Sequence, residues 1–175
     1  SAQSHSQAKA FIRISAAAAR TIPQERTTWQ ERALAKFQSL GNPQLRSFAL
    51  QEMVFQWAAL DWEGAERLAG EISPVFPEAR AYSFIYLSGR SKEKGKALGL
   101  LKRALAETAK VADPFEAQKI KSRIGMALAR LDPGEAFRIL PKITDPYYRS
   151  EILGELAREL SKKDKRKALV LGEKI

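Results

Sequence analysis

The sequence predicts an all-α fold, a short α-solenoid of about four helical hairpins with one further helix at each end. Three observations predict it. Apolar residues with helical spacing recur at a nearly constant interval, prolines recur at the start of alternate helices, and no alternating β pattern or Asn-Gly hairpin turn occurs. A single amphipathic hairpin cannot bury its apolar face, whereas stacked copies bury a continuous one. We therefore expect residues 1–175 to form one domain.

The first helix of each hairpin begins its apolar pattern with an alanine. Apolar or small residues follow it at +4 and +7, usually with another apolar residue at +3, and these positions share one face of a helix. Successive leading alanines are separated by 32, 32, 39 and 32 residues, so the third unit is longer than the others. They are Ala33, Ala65, Ala97, Ala136 and Ala168.

Polar residues that cap helix N-termini precede these first helices. Thr28, Asp61, Asp132 and Asp164 lie four or five residues before their alanines, and Ser91 is the loosest match. Thr28 to Glu31 and Asp132 to Glu135 also have the reciprocal capping-box form. In the fourth unit, which begins at Asp132, Pro141 is expected to end or kink its helix early.

The second helix of each hairpin begins at a proline, which needs no amide donor at that position. The prolines are Pro43, Pro77, Pro114 and Pro146, and Asn42, Asp113 and Asp145 provide caps for three of them. The predicted helix pairs lie near 29–40 and 43–58, 62–72 and 77–88, 92–110 and 114–130, and 133–143 and 146–161.

Those pairs define four repeats at about 28–60, 61–90, 91–131 and 132–162, with flanking helices at 6–21 and 165–175. The last helix has no second helix after it. That arrangement indicates either a natural cap or a piece of a longer repeat array.

Three of the second helices carry an arginine three residues after the proline: Arg46, Arg80 and Arg149. This pattern resembles the Asp-Pro-x-x-Arg opening of the second helix in HEAT repeats. The resemblance implies a right-handed α-α superhelix whose second helices line a concave face, with Asp and Arg tying neighbouring repeats together. We therefore assign structural roles to Arg46, Arg80 and Arg149, and to the caps Asp132 and Asp145. Ala117 interrupts the pattern in the third repeat, and tetratricopeptide repeats agree in period but lack matching Trp and Gly-Tyr positions.

Composition narrows the class of protein further. Apolar residues make up 45% of the chain, which is typical of a folded domain, and no run approaches the roughly 20 apolar residues that cross a bilayer. No membrane insertion is expected.

The absence of cysteine excludes disulfides, thiolate zinc sites and cysteine nucleophiles. The first residue, Ser1, fits either an arbitrary boundary or a mature end after signal-peptide removal, so both cytoplasm and periplasm remain open.

Positive charge is concentrated in the third repeat. The net charge is +10 overall, and residues 90–130 carry 11 basic and 4 acidic side chains. Lys119, Arg123 and Arg130 fall within a stripe of about 40° on the second helix, which by the HEAT resemblance faces the groove. The alternative is an ordinary solvated helix face. The remaining basic candidates lie on the first helix of that repeat: Lys92, Lys94, Lys96, Lys102 and Arg103.

No residue pattern supports catalysis. Glu151, Glu155 and Glu159 are spaced like paired carboxylates, but Arg158, Lys162 and Lys163 balance their charge. Nucleophile elbows, phosphate loops and metal-ligand spacings are missing. We expect no catalytic residues, no metal and no cofactor.

The sequence therefore favours a non-catalytic scaffold or adaptor that binds another protein or a peptide. The alternative is nucleic-acid binding, or binding of another acidic partner, through the basic third repeat, since some DNA-alkylation-repair glycosylases are HEAT-like stacks with a basic groove. A third option is a helical accessory domain of a larger assembly. A continuous basic surface joining Lys119, Arg123 and Arg130 to the region of Lys92 to Arg103 would discriminate among these options.

Overall fold

The computed structural model describes residues 2–38, 40–162 and 166, and this part of the chain is all-α. The all-α class predicted from the sequence is therefore confirmed, and the right-handed superhelix stays a prediction. The helices of the described residues are α1 (Ala2–Thr21), α2 (Arg26–Gln38), α3 (Pro43–Trp57), α4 (Trp62–Glu71), α5 (Pro77–Ser88), α6 (Lys94–Thr108), α7 (Pro114–Leu131), α8 (Pro133–Ile139) and α9 (Pro146–Ser161). None of them is long and apolar enough to cross a membrane.

The prolines begin α3, α5, α7 and α9 at the predicted residues. Asn42 accepts hydrogen bonds from the Gln44 and Leu45 amides, and Asp145 accepts from the Tyr147 and Tyr148 amides. Asp113, Asp61 and Asp132 cap α7, α4 and α8 in the same manner. Local chemistry thus sets most helix starts, because each cap satisfies an amide that the helix itself leaves unpaired.

Two predicted starts are wrong. Thr28 lies inside α2, because Pro23–Glu25 forms a 3₁₀ turn that leads directly into a helix beginning at Arg26. Ser91 does not cap α6, since its hydroxyl accepts from the Glu93 amide and donates to the Glu93 carbonyl in a local turn. As a result α6 begins at Lys94, and Lys92 precedes the helix.

The fourth unit also departs from expectation. The Asp132 side chain accepts from the Glu135 amide at 3.3 Å, but the Asp132 amide completes α7 by donating to the Leu128 carbonyl, so the reciprocal half of the capping box does not form. Pro141 shortens α8 as predicted, and a 3₁₀ turn at Leu140–Lys142 follows it. At seven residues, α8 is less than half as long as α6, which has fifteen.

The odd-numbered helices pack against one another in chain order, from α1 through α9. Each even-numbered helix packs against the odd-numbered helices before and after it. One apolar cluster runs through these contacts from Ile12 to Leu156. Gly125 permits the approach of α7 to α9, because a Cβ there would collide with the side chain of Ile152.

The last predicted helix, 165–175, lies outside the described residues except for Arg166, which is exposed. The predicted cap Asp164 and the basic residues Lys163, Lys165 and Lys167 also lie outside them.

Candidate binding surface

Two of the three residues in the predicted α7 stripe lie over an aromatic ring of the neighbouring odd helix. The Lys119 ammonium and the Arg123 guanidinium are 6.0 Å and 5.4 Å from the ring centroid of Tyr82 on α5. Lys119 also pairs with Glu116 at 3.3 Å. Arg123 is exposed and forms no ion pair with any other described residue, so its full charge is available to a partner.

Tyr82 links α5 to α7. Its hydroxyl donates to Glu116 Oε1 at 2.5 Å, across 34 residues of sequence. Burial and then the hydrogen bond to Glu116 raise the pKa of Tyr82 far above its ordinary value. Tyr82 therefore stays protonated and holds Glu116 in place beneath Lys119.

An aromatic row extends this surface across the odd helices; we define it as Phe55, Tyr86, Tyr82, Phe115, Tyr148 and Tyr147. Ring contacts join its members in two groups: Phe55 and Tyr86 at a centroid distance of 4.6 Å, and Tyr148 with Phe115 at 6.0 Å and with Tyr147 at 5.4 Å. Tyr82 lies on the same helix as Tyr86 and binds Glu116, the neighbour of Phe115. Phe115 and Tyr147 are 63% and 66% exposed. Sequence reasoning missed them, although each directly follows the proline that begins its helix.

The third residue of the stripe, Arg130, reaches α9 instead. Its Nε donates to Glu155 at 2.5 Å, and Arg158 donates to the same oxygen at 2.5 Å. Although burial by itself raises the pKa of Glu155, the hydrogen bonds from Arg130 and Arg158 outweigh it and leave that pKa below its ordinary value. Arg130 thus joins two helices and shares one carboxylate with Arg158.

Most basic residues at the start of α6 are also paired. Lys94 lies 3.7 Å from Asp132, and Lys96 lies 2.8 Å from Glu93. The hydrogen bond to Glu93 raises the pKa of Lys96 above its usual value. Lys92 is exposed and has no ion pair among the described residues.

Arg103 and Lys102 lie next to each other in sequence but have different surroundings. Arg103 pairs with Glu66 of α4 at 2.8 Å and lies 4.2 Å from the ring centroid of Phe84. Lys102 lines a groove between α6 and α8.

The structure separates the two basic groups. Arg103 contacts Phe84, whereas Lys119 and Arg123 contact Tyr82, and residues two apart on a helix point about 200° away from each other. The two groups therefore lie on opposite sides of α5 and do not form one continuous basic surface.

The arginines given structural roles differ from one another. Arg46 donates to the Leu40 carbonyl at 2.8 Å, and Arg80 pairs with the buried Glu107 at 3.5 Å. Arg149 is exposed and has no hydrogen bond or ion pair with the other described residues. Its predicted tie to a neighbouring helix is therefore not seen.

The three spaced glutamates of α9 each have hydrogen-bond donors, and Arg158 lies near both Glu155 and Glu159. Glu151 accepts from Ser122 and Tyr147, Glu155 accepts from Arg130 and Arg158, and Glu159 accepts from Lys162. Within the described ranges no three His, Asp or Glu residues could together hold a metal ion.

Comparison with known proteins finds no matching family model, no similar curated protein and no similar solved structure. The resemblance to HEAT repeats therefore remains a prediction that rests on the arginine and proline pattern.

Proposed function

We propose that this chain is a non-catalytic helical-repeat scaffold that binds a peptide or another protein along its aromatic row. The observation that carries the proposal is the exposed pair Phe115 and Tyr147, which stand on neighbouring helices and are joined through Tyr148. Aromatic side chains are enriched where protein partners bind, because they offer a large contact area with few rotatable bonds.

The arrangement of the odd helices supports a partner that crosses them. α7 and α9 run in the same direction, because Phe115 meets Tyr148 near their starts and Arg130 meets Glu155 towards their ends. Two further members of the row are half-buried: Tyr82 on α5, whose hydroxyl binds Glu116 next to Phe115, and Phe55 on α3, which contacts Tyr86. An extended segment laid across the helices would contact the exposed Phe115 and Tyr147 first and then reach the half-buried rings of α5 and α3.

Selection from a displayed peptide library tests this proposal. Peptides enriched on the parent protein should lose binding to a Phe115→Ser/Tyr147→Ser double variant. A matched control replaces Val75 and Phe137, two other exposed apolar residues at 76% and 42%, with serine. Peptides that bind both double variants equally, or no enrichment at all, would refute binding along the aromatic row.

Nucleic acid is the second candidate partner, because cations beside exposed rings are a common arrangement in single-strand binding. Lys119 and Arg123 lie over the half-buried ring of Tyr82, and Phe115, on the same helix as both cations, supplies an exposed ring. The ion pairs of Lys94, Lys96, Arg103 and Arg130, and the separation of the two basic groups, leave few phosphate contacts on either surface.

Salt-dependent binding distinguishes the two candidates. Nucleic-acid binding loses affinity with a logarithmic salt slope of about −0.7 per phosphate neutralised on a single strand and about −0.9 on a duplex. Changing Lys119, Arg123 and Arg130 together to Gln should flatten that slope, while changing Arg13, Arg20 and Arg32 should not. If the parent binds neither DNA nor RNA at about 50 mM salt, or both triple variants lose affinity equally, the nucleic-acid candidate fails.

A further inference from the structure

A groove between α6 and α8 lies away from the aromatic row. Its cavity has a volume of about 140 Å³. The floor is formed by Ile124 and Leu128 of α7, which lie roughly 100° and 140° around that helix from Arg123. The apolar walls are Leu98, Leu101, Leu105 and Ile139.

The short α8 accounts for the groove. Pro141 ends that helix after Ile139, whereas α6 continues to Thr108. The flank of α6 that a longer α8 would cover therefore keeps Leu98 and Leu105 partly exposed.

The acidic residues on the rim of the groove are paired, whereas two of its basic residues are not. Its two acids are engaged, Glu135 with Arg138 at 2.5 Å and Asp132 with Lys94 and the α8 amide of Glu135. Lys102 and Lys142 are exposed and have no ion pair among the described residues. Around an apolar floor, the rim thus offers uncompensated positive charge.

We propose that this groove binds an acidic peptide segment that inserts one large apolar side chain between α6 and α8. An apolar cavity of about 150 Å³ holds a benzene molecule, so the groove fits a single phenylalanine or leucine side chain. Carboxylates on either side of that side chain pair with Lys102 and Lys142. The proposal is independent of binding along the aromatic row, because the two surfaces lie on different sides of α7.

Charge argues against two other occupants. A second copy of the chain carries a net charge of +10 and would be repelled by the basic rim. The segment 163–175 of this chain is itself basic, with Lys163, Lys165, Arg166, Lys167 and Lys174 against Asp164 and Glu173.

Methyl NMR of the full chain provides the test, with the probe acetyl-Asp-Glu-Phe-Glu-Asp-amide. We expect saturable shifts of the methyl groups of Leu98, Leu105 and Ile139 with a dissociation constant on the order of 1 mM. Two matched probes replace Phe with Ala, or the four acidic residues with Lys. Each should bind at least about tenfold more weakly, because the first lacks the inserted ring and the second opposes the rim charges.

A charge-reversed variant assigns the site. Lys102→Glu/Lys142→Glu should weaken binding of the acidic probe about tenfold or more, whereas Arg13→Glu/Arg20→Glu, with the same change in net charge on α1, should leave it unchanged. Absence of shifts in the groove methyls, equal binding of the three probes, or an equal loss in both double variants would overturn the proposal. Displacement of the probe by an oligonucleotide or inorganic phosphate at equal concentration would overturn it as well, and would indicate an unspecific anion surface.

Discussion

Arg80 on α5 and Arg149 on α9 hold the same position after a helix-initial proline, yet their surroundings are opposite. Arg80 is 19% exposed and pairs with Glu107, whose side chain is only 8% exposed. Arg149 projects into solvent and has no partner among the described residues. The position after the proline fixes where an arginine lies on its helix, but contacts from other helices determine whether it is buried.

Arg80 is half-buried because α6 is long. Glu107 lies near the C-terminal end of α6 and reaches Arg80 on α5. Arg46, in the same position on α3, shows a third outcome, since it binds the Leu40 carbonyl in the turn before its own helix. The three arginines therefore allow the contribution of burial to be measured at a fixed helical position.

The largest effect is expected from Arg80→Met, which keeps the apolar stem and removes the charge. Removing one partner of a buried pair costs roughly 3–5 kcal/mol, and Lys110, which still pairs with Glu107, reduces the expected loss to about 2 kcal/mol. Urea denaturation measures the free energy of unfolding.

A double-mutant cycle with Glu107→Gln is the control for Arg80→Met. The double variant should be more stable than the sum of the single losses predicts, by about 1 kcal/mol, because it leaves no buried charge unpaired. Additive losses would show that the pair is not coupled, and the comparison with Arg149 would then lose its basis.

The next largest effect is expected from Arg46→Met. Its guanidinium satisfies the Leu40 carbonyl beyond the end of α2, and a hydrogen bond from a charged group contributes about 1.5 kcal/mol. Arg26→Met is the matched variant, since Arg26 binds the Leu60 carbonyl beyond α3 at the same distance of 2.8 Å. A loss below about 0.5 kcal/mol in both would show that water replaces these arginines without cost.

Much of the fold was predictable because helix starts are determined by residues within one turn of the helix N-terminus. Pro43, Pro77, Pro114 and Pro146 begin their helices where expected, since a proline at that position and a capping side chain act within one turn. The helix starts predicted at Thr28 and Ser91 were wrong because the local backbone differs from the one expected. Each has the right residue type, but the backbone around Pro23 and Glu93 forms a different turn that the residue type does not reveal.

The candidate site was predictable only in part because its contacts join distant residues. The α7 stripe was recognised from spacing alone, and Lys119 and Arg123 do share a surface. Spacing could not show that Tyr82 lies beneath them, since 34 residues separate Tyr82 from Glu116. Nor could it show that Glu155 binds Arg130 from α9, or that Lys102 lines the groove beside a short α8 whereas Arg103 pairs with Glu66 of α4.

A smaller effect is expected from the helix caps Asp132 and Asp145. Replacing either with Ala should cost about 1 kcal/mol, because amides in the first turn of α8 or α9 lose their acceptor. Asp→Asn variants are the control, since asparagine keeps the accepting oxygen and should recover most of the loss. Unchanged urea midpoints in both alanine variants would contradict the assignment of these starts and, with it, the equivalence of Arg149 to Arg80.

The smallest effect is expected from Arg149→Met. An exposed side chain that contacts no partner in the described part of the chain contributes within about 0.5 kcal/mol of zero, so the unfolding midpoint should scarcely move. The measurement must use the full chain, and a truncation at residue 162 serves as the comparison. If Arg149→Met leaves the free energy of unfolding unchanged in both the full and the truncated chain, burial alone accounts for the difference between Arg149 and Arg80. If it destabilises the full chain by about 2 kcal/mol but leaves the truncated chain unchanged, the segment after 162 supplies Arg149 with a partner, and the equivalence of the two arginines becomes complete.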